Sequence, residues 1–325
     1  MAGKFNGLLA AVAFLVGAIG AILPAPANED YPSQTITLVC ALPPGSGADL
    51  LVRYLADKLA PLAHTTVIVE NKPGASGNIA AEYVVRSKPD GYTIYVHGAN
   101  TIAANLSILK HPPFSADSLQ VVSNIQKQAF MIVVPAQSSA KSLPDLTALL
   151  KKKGDDASYA VSAVFGRIVV ELYKHTVGVN PMAVTYKSAP QSLNDVMSGA
   201  VDFGVYDPVF ALSQQREGRF RILAISSGER MSTSPDVPTM IEGGVPGMDM
   251  RSWFAAMVPA ATPRPIVDQL NRWFNQILAT DDARDFLAKN GAEPFIVSPD
   301  EGQADFMKAV ANYKVYVKEA NITEQ

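Results

Sequence analysis

The chain has 325 residues, with 27 basic against 30 acidic side chains and a net charge of −3. No stripe or cluster of Lys and Arg is present, which argues against a nucleic-acid partner. One cysteine, Cys40, leaves no internal disulfide, so stability must come from an apolar core of the kind this length can bury.

The N-terminus carries Lys4, an apolar run from Leu8 to Leu23 broken only by Gly17 and Gly20, and the small residues Ala25-Pro26-Ala27. This pattern predicts a secretory signal peptide over residues 1–27, cleaved after Ala27. The competing reading is an uncleaved anchor, since the run is only slightly short of a membrane span. About three hundred residues follow, enough for two domains of ordinary size.

Strand and helix then alternate. Ile36–Val39 reads as a strand and Leu50–Leu62 as a helix; Val67–Val69 and Ile79–Ser87 repeat the pair. Tyr92–Val96 is a third strand, and Cys40, at the end of the first, reads as a small buried hydrophobe. Short apolar strands spaced by amphipathic helices predict doubly wound parallel sheets covered on both faces. Phe130–Val134 is a further strand. A second series follows: a helix over Ser142–Lys152 with Ser142 as N-cap, strand Tyr159–Ala163, helix Arg167–Val177, strand Met182–Tyr186, helix Ser192–Ser198 and strands Val201–Val205 and Ile222–Ser226. After Trp253–Val258 come helices over Ile266–Thr280, Asp282–Asn290 and Pro299–Ala320. The strands at Phe130–Val134 and Trp253–Val258 read as two passages between domains. That places a discontinuous first domain over 28–128 and 255–325 and a second over 129–254, with a ligand cleft where strand carboxyl ends converge.

Two glycine-rich turns carry the functional signal. Pro43-Pro44-Gly45-Ser46-Gly47-Ala48-Asp49 and Asn71-Lys72-Pro73-Gly74-Ala75-Ser76-Gly77-Asn78 each follow a strand and open a helix. Such turns present backbone N–H groups to an anion. Neither is a nucleotide motif: the first lacks the third glycine of the dinucleotide pattern, and no Gly-Lys-Ser/Thr occurs. Asp49, in the first helical turn, reads either as a carboxylate favoured by the dipole or as a ligand-facing group. Asp207-Pro208 reads as an N-cap with proline at the first helical position or as a cleft residue. Phe165 and Tyr206 are candidates to line a pocket, Lys187 to steer anions, and His97, at the end of the third strand, to border the cleft in a loop or hydrogen-bonding role. Trp253, Phe254 and Trp273 read as core and hinge packing. The four histidines have no metal-ligand spacing, and there is no nucleophile elbow or reactive cysteine. No catalytic residue, metal or cofactor is expected.

The chain resembles the Bug family, the periplasmic solute receptors of tripartite tricarboxylate transporters. Its carriers, in order, are Tyr31-Pro32, Pro44 to Asp49, Val69 to Ala80, Pro89-Asp90-Gly91-Tyr92-Thr93, Ala140-Lys141-Ser142, Tyr186-Lys187-Ser188-Ala189-Pro190, Pro235-Asp236-Val237-Pro238-Thr239 and Trp253. The resemblance implies a type II periplasmic-binding-protein fold, a monomer that closes like a Venus flytrap on a small organic acid and presents it to a membrane permease. By position, it implies first-domain contacts from Pro44, Gly45, Ser46, Gly47 and Asp49 and from Ala75, Ser76, Gly77 and Asn78. The second-domain contacts it implies come from Ser162, Phe165 and Arg167, from Lys187, Ser188 and Ala189, and from Asp207. Three departures stand out. Ser46 and Ser188 replace usual glycines, and the second-domain turn is short and lacks the customary Gly-Ser, with Arg167 where a histidine is common. An arginine at a helix start can clamp a second carboxylate bidentately, which favours a diacid. An aromatic wall from Phe165 and Tyr206 would suit an aromatic acid, and the ligand is expected to be one or the other. A sensor presenting the same ligand to a histidine kinase, and a hydrolase on this fold, are the rival readings.

Overall fold

A computed structural model describes residues 31–319, so the signal-peptide reading lies outside the described residues. The first sheet has the order β11-β4-β10-β3-β1-β2. Its strands are β1 (Ile36–Cys40), β2 (Val67–Asn71), β3 (Thr93–Gly98), β4 (Leu119–Ala129), β10 (Arg251–Pro259) and β11 (Glu293–Pro294). The second sheet, β7-β6-β8-β5-β9, is built from β5 (Met131–Pro135), β6 (Ser158–Val161), β7 (Met182–Thr185), β8 (Phe203–Tyr206) and β9 (Phe220–Ile225).

Helices α1 (Gly47–Ala63), α2 (Asn78–Val85) and α3 (Ala99–Ile108) follow β1, β2 and β3. In the second lobe, α4 (Leu143–Lys153) precedes β6, α5 (Val164–Val177) follows it, and α6 (Leu193–Ser198) and α7 (Pro208–Arg216) flank β8. The chain ends with α8 (Arg264–Leu278), α9 (Asp281–Ala288) and α10 (Pro299–Glu319), all on the first lobe. The Ser142 side chain caps α4 by accepting from the Asp145 amide, and Gly199, at a left-handed φ of 77°, closes α6.

Both lobes are α/β, but neither sheet is purely parallel as the sequence pattern predicts. β1 runs parallel to β2 and β3, whereas β10 runs antiparallel to β3 and β4. In the second sheet β6 is parallel to β7 and β8, and β5 is antiparallel to β8 and β9. Besides the short edge strand β11, antiparallel to β4, the exceptions are β5 and β10, the strands by which the chain leaves one sheet and returns to it. Alternation along β5 explains how it serves two cores: Ile132 and Val134 face one apolar cluster, Met131 and Val133 the other. The larger cluster runs from Val39 and Tyr95 through Trp253, Phe130 and Phe165 to Tyr159 and Tyr173, so it is continuous between lobes.

The two crossings converge on Ser226. Its backbone N–H donates to Phe130 O at 2.9 Å, while its hydroxyl accepts from the Phe130 N–H at 3.0 Å and donates to Met250 O at 2.6 Å. Met250 N–H returns a bond to Ser226 O at 2.7 Å. Cys40 is buried, as expected of a small hydrophobe. Helix α8 buries Val267, Leu270, Phe274, Ile277 and Leu278; Val267 and Phe274 take the places predicted for Ile266 and Trp273, a rotation of the stripe by one residue.

Candidate functional site

The first turn is organised by its own side chains. Ser46 Oγ accepts from the Asp49 N–H at 3.2 Å, capping α1, and Gly45 adopts a φ of 80° that favours glycine. The Asp49 carboxylate turns inward. One oxygen accepts from Gly45 N–H at 2.8 Å and Arg53 Nε at 2.9 Å, and the other from Asn71 Nδ2 at 2.8 Å. Asp49 is 2% exposed, and the Arg53 guanidinium beside it holds its carboxyl down at about 2. Of its two sequence readings, the scaffold role is the one its geometry fits: every lone-pair direction in use serves the protein. With Asp49 engaged, the amides of Gly47 and Ala48 at the start of α1 have no carbonyl a turn behind them within the helix. Pro44, Gly45 and Gly47 are exposed, and Ser46 half-buried.

The second turn is strained. Gly74, Ala75, Ser76 and Gly77 hold φ values of 130°, 45°, 51° and 92° in succession. Two non-glycine residues in the left-handed region cost of order 1–2 kcal/mol each, so the surroundings must impose the turn. Asn105 on α3 donates to Ser76 O at 2.9 Å, and Tyr95 Oη donates to Gly77 O at 3.0 Å. Ala75 and Ser76 stand exposed at the tip, while Gly77 and Asn78 are buried. The Asn78 side-chain oxygen accepts from Asn105 at 3.3 Å, and α2 starts with no side-chain cap.

Beneath this turn lies His97. Neither ring nitrogen has a hydrogen-bond partner in the protein, in contrast to the hydrogen-bonding role predicted for it. The ring packs edge-on to Phe254 and beside Tyr95, and burial pulls its pKa down to about 4. It sits so close to Gly77 that a β-carbon there would lie 2.7 Å from Nε2.

In the second lobe, β6 ends at Val161, Ser162 is half-buried, and α5 begins with Ala163 as an N-cap that offers no side-chain acceptor. Arg167, in the first turn of α5, is half-buried; its Nε is enclosed and has no hydrogen-bond partner. Phe165 does not line a pocket. It is 8% exposed and packs against Phe130 with ring centroids 4.8 Å apart, because Gly166 lets α5 settle onto Phe130 and Val205. Tyr206 is likewise core, 1% exposed, bonded to Ser192 Oγ at 2.5 Å and stacked on Phe220. Lys187 and Ser188 are exposed and Ala189 half-buried. Asp207 is the N-cap of α7, accepting from the Phe210 N–H at 3.1 Å, and burial raises its carboxyl above the usual range.

The predicted residues thus gather at strand carboxyl ends in two groups, one after β1 and β2 and one after β6, β7 and β8. The second lobe also touches the first: a β-carbon on Gly291 would lie 2.6 Å from that of Pro208 at the start of α7, and Glu293 accepts from the N–H of Ser232 in the loop after β9. Four residues that sequence reasoning did not single out belong here. Leu50, Ile79, Val164 and Val209 lie in the first turns of α1, α2, α5 and α7 and are each about half exposed. Their signal is an apolar residue immediately after a glycine or cap turn, out of phase with the buried stripe. Among the described residues no group of His, Cys, Asp and Glu is placed to hold a metal ion, and no helix is long and apolar enough to cross a membrane.

A family model for the tripartite tricarboxylate transporter family receptor matches residues 51–322. The chain belongs to that receptor family. The receptor is 28% identical to protein BugT of Bordetella pertussis over 316 residues, covering 96% of this chain and 97% of BugT. Among solved structures it is similar to R. palustris Rpa4515 with adipate, at 30% identity and a TM-score of 0.77, over 90% of this chain and 99% of that one. MatC (Rpa3494) from Rhodopseudomonas palustris with bound malate is 25% identical, with a TM-score of 0.71 over 88% and 100% of the two chains. The family consists of solute-binding receptors, not enzymes.

Proposed function

We propose that this receptor captures a small organic carboxylate in the periplasm, by closure of its two lobes, and delivers it to the permease of a tripartite tricarboxylate-type transporter. Its first 27 residues export it, residues 28–128 with 255–325 and residues 129–254 form the two closing domains, and it works as a monomer. One carboxylate lies against the open amides at the start of α1 and the exposed tip Ala75-Ser76. Ser162, Lys187 and Ser188 face it from the other lobe.

The observation that carries this reading is Arg167. A guanidinium whose enclosed Nε lacks any protein acceptor is a group awaiting an anion, since burying such a donor unpaired is costly. A second carboxylate satisfies it, so the ligand is a dicarboxylate in preference to an aromatic acid. Leu50, Ile79, Val164 and Val209 suit the carbon skeleton between the two acid groups. Adipate and malate, bound by two relatives, are both diacids. Titration calorimetry against a panel of mono-, di- and aromatic acids tests the reading; binding of sugars or amines alone defeats it.

A further inference from the structure

An open groove runs between α3 and α10, floored by Leu106, Leu109 and Val317 and rimmed by Lys110, Lys314 and Lys318. All six belong to the first lobe, and none comes from the two glycine turns. The three lysines are exposed, and among the described residues none of them meets a carboxylate at ion-pair distance. The sequence explains the imbalance: no Asp or Glu occurs between Asp90 and Asp117, nor between Asp305 and Glu319. Lys110 is far from the other two along the chain, so only the fold brings them together. The lysine run at the end of α4 is different. Asp155 and Asp156 follow Lys151-Lys152-Lys153, and Lys153 pairs with Asp202.

Helix α10 adds an outward face beside the groove. Met307, Ala311, Lys314, Val315 and Lys318 stand at i, i+4, i+7, i+8 and i+11, so they share one stripe of the helix. All five are exposed, Val315 by 51% and Met307 by 36%. The core is served by other positions, Phe306, Val310, Tyr313 and Val317. The helix therefore has one apolar stripe for its own lobe and a second, interleaved with lysines, that faces out.

We propose that this face is a membrane-docking surface, taking the anionic phospholipid headgroups of a bilayer. Lysines attract such headgroups as mobile point charges, each worth about fivefold in partitioning. Val315 and Met307 enter the headgroup layer between them. An acidic protein fits the face less well. The groove has no aromatic anchor and no arginine fork, and among the described residues no hydrogen bond fixes any of the three lysines. The membrane is the one that the proposed function sets beside the receptor, and the inference rests on that reading for its setting. Groove and stripe lie on the first lobe, so docking engages one lobe only.

The test sediments receptor purified from the periplasm with vesicles. Binding to equal parts phosphatidylglycerol and phosphatidylcholine should exceed binding to phosphatidylcholine alone by about tenfold or more, and high salt should abolish the difference. Lys314→Gln with Lys318→Gln should lower binding to the anionic vesicles about twentyfold. Lys151→Gln with Lys152→Gln removes the same charge from α4 and should change it by less than about twofold. Failure to bind the anionic vesicles, equal binding to both compositions, or equal loss in the two double variants overturns the proposal. Neither a carboxylate nor the permease is present, so such a result leaves the proposed function standing.

Discussion

Asn71 donates through Nδ2 to Asp49 Oδ1 at 2.8 Å and to Leu42 O at 2.9 Å, so one amide ties the first glycine turn to the start of the second. Arg53 braces the same pair, reaching Asp49 at 2.9 Å and Asn71 Oδ1 at 3.2 Å. The spacing of the two turns is thus set by a buried carboxylate. Asn71→Ala should cost about 1–3 kcal/mol in stability, because it leaves a buried carboxylate oxygen short of a partner. It should also weaken carboxylate binding, although Asn71 lies outside the exposed tips. Urea unfolding with calorimetry separates the two effects; undiminished affinity in a stable variant would show that the turns keep their spacing without the tie.

Gly45 and Gly77 both hold positive φ, at 80° and 92°, yet they should respond differently to alanine. At Gly45 a β-carbon meets nothing within 4 Å, so only the backbone preference is lost, about 1 kcal/mol. At Gly77 it would strike His97 Nε2 at 2.7 Å and Tyr95 Oη at 2.8 Å. Overpacking adds to the backbone cost, for about 2–4 kcal/mol in all. Thermal melts of the two variants side by side give the comparison, and equal destabilisation would contradict it.

Burial holds His97 neutral, with a pKa of about 4 against 6.5 in the unfolded chain. Between those values the unfolded state binds a proton that the folded state refuses, so stability should fall as pH drops from 6.5 to 4. The size of that loss is about 3 kcal/mol. Asp49, held at about 2, adds a second acid limb below pH 4, where its stabilisation is lost as the carboxylate protonates. His97→Phe should flatten the first limb and leave the second. Unfolding free energies measured at half-unit pH intervals would reveal whether the limb between 6.5 and 4 persists in the variant, which would remove His97 as its source.

Arg167→Ala should weaken a dicarboxylate more than its monocarboxylate analogue. A charge-assisted pair is worth roughly 1.5–3 kcal/mol, or about ten- to hundredfold in affinity. Arg167→Lys should recover only part of the loss, since an ammonium cannot make the two parallel bonds. Equal weakening of both ligands would place the arginine away from the distal acid.

Much of the molecule is legible in its sequence where local chemistry and tertiary structure agree. Ser142, Gly199 and the two glycine turns fall where capping and turn rules put them. β4 went unread for a physical reason: its residues Ser123, Asn124, Gln126, Lys127 and Gln128 break the apolar pattern, yet Ser123 and Asn124 are fully buried. Their burial is made tolerable by distant partners. Ser123 Oγ donates to Asn275 Oδ1 at 3.1 Å, and Asn124 donates to Asp305 at 3.3 Å. Helix α3 was missed because Gly98 precedes it without a cap side chain. The two sets of turns were legible, but the direction of individual side chains was not. Asp49, Phe165 and Tyr206 face inward because of neighbours tens of residues away, which no local pattern records.

Ser226 lends the architecture a mechanical character. Phe130 lies on the outgoing strand pair, Met250 on the return, and one serine side chain bonds to both. One buried serine therefore holds the two crossings in a fixed register with each other. In the closure proposed above, a register fixed at the crossings makes Arg167 approach an acid held at the first turns from one direction. Under that proposal, acids of different length would be told apart by how far the lobes come together.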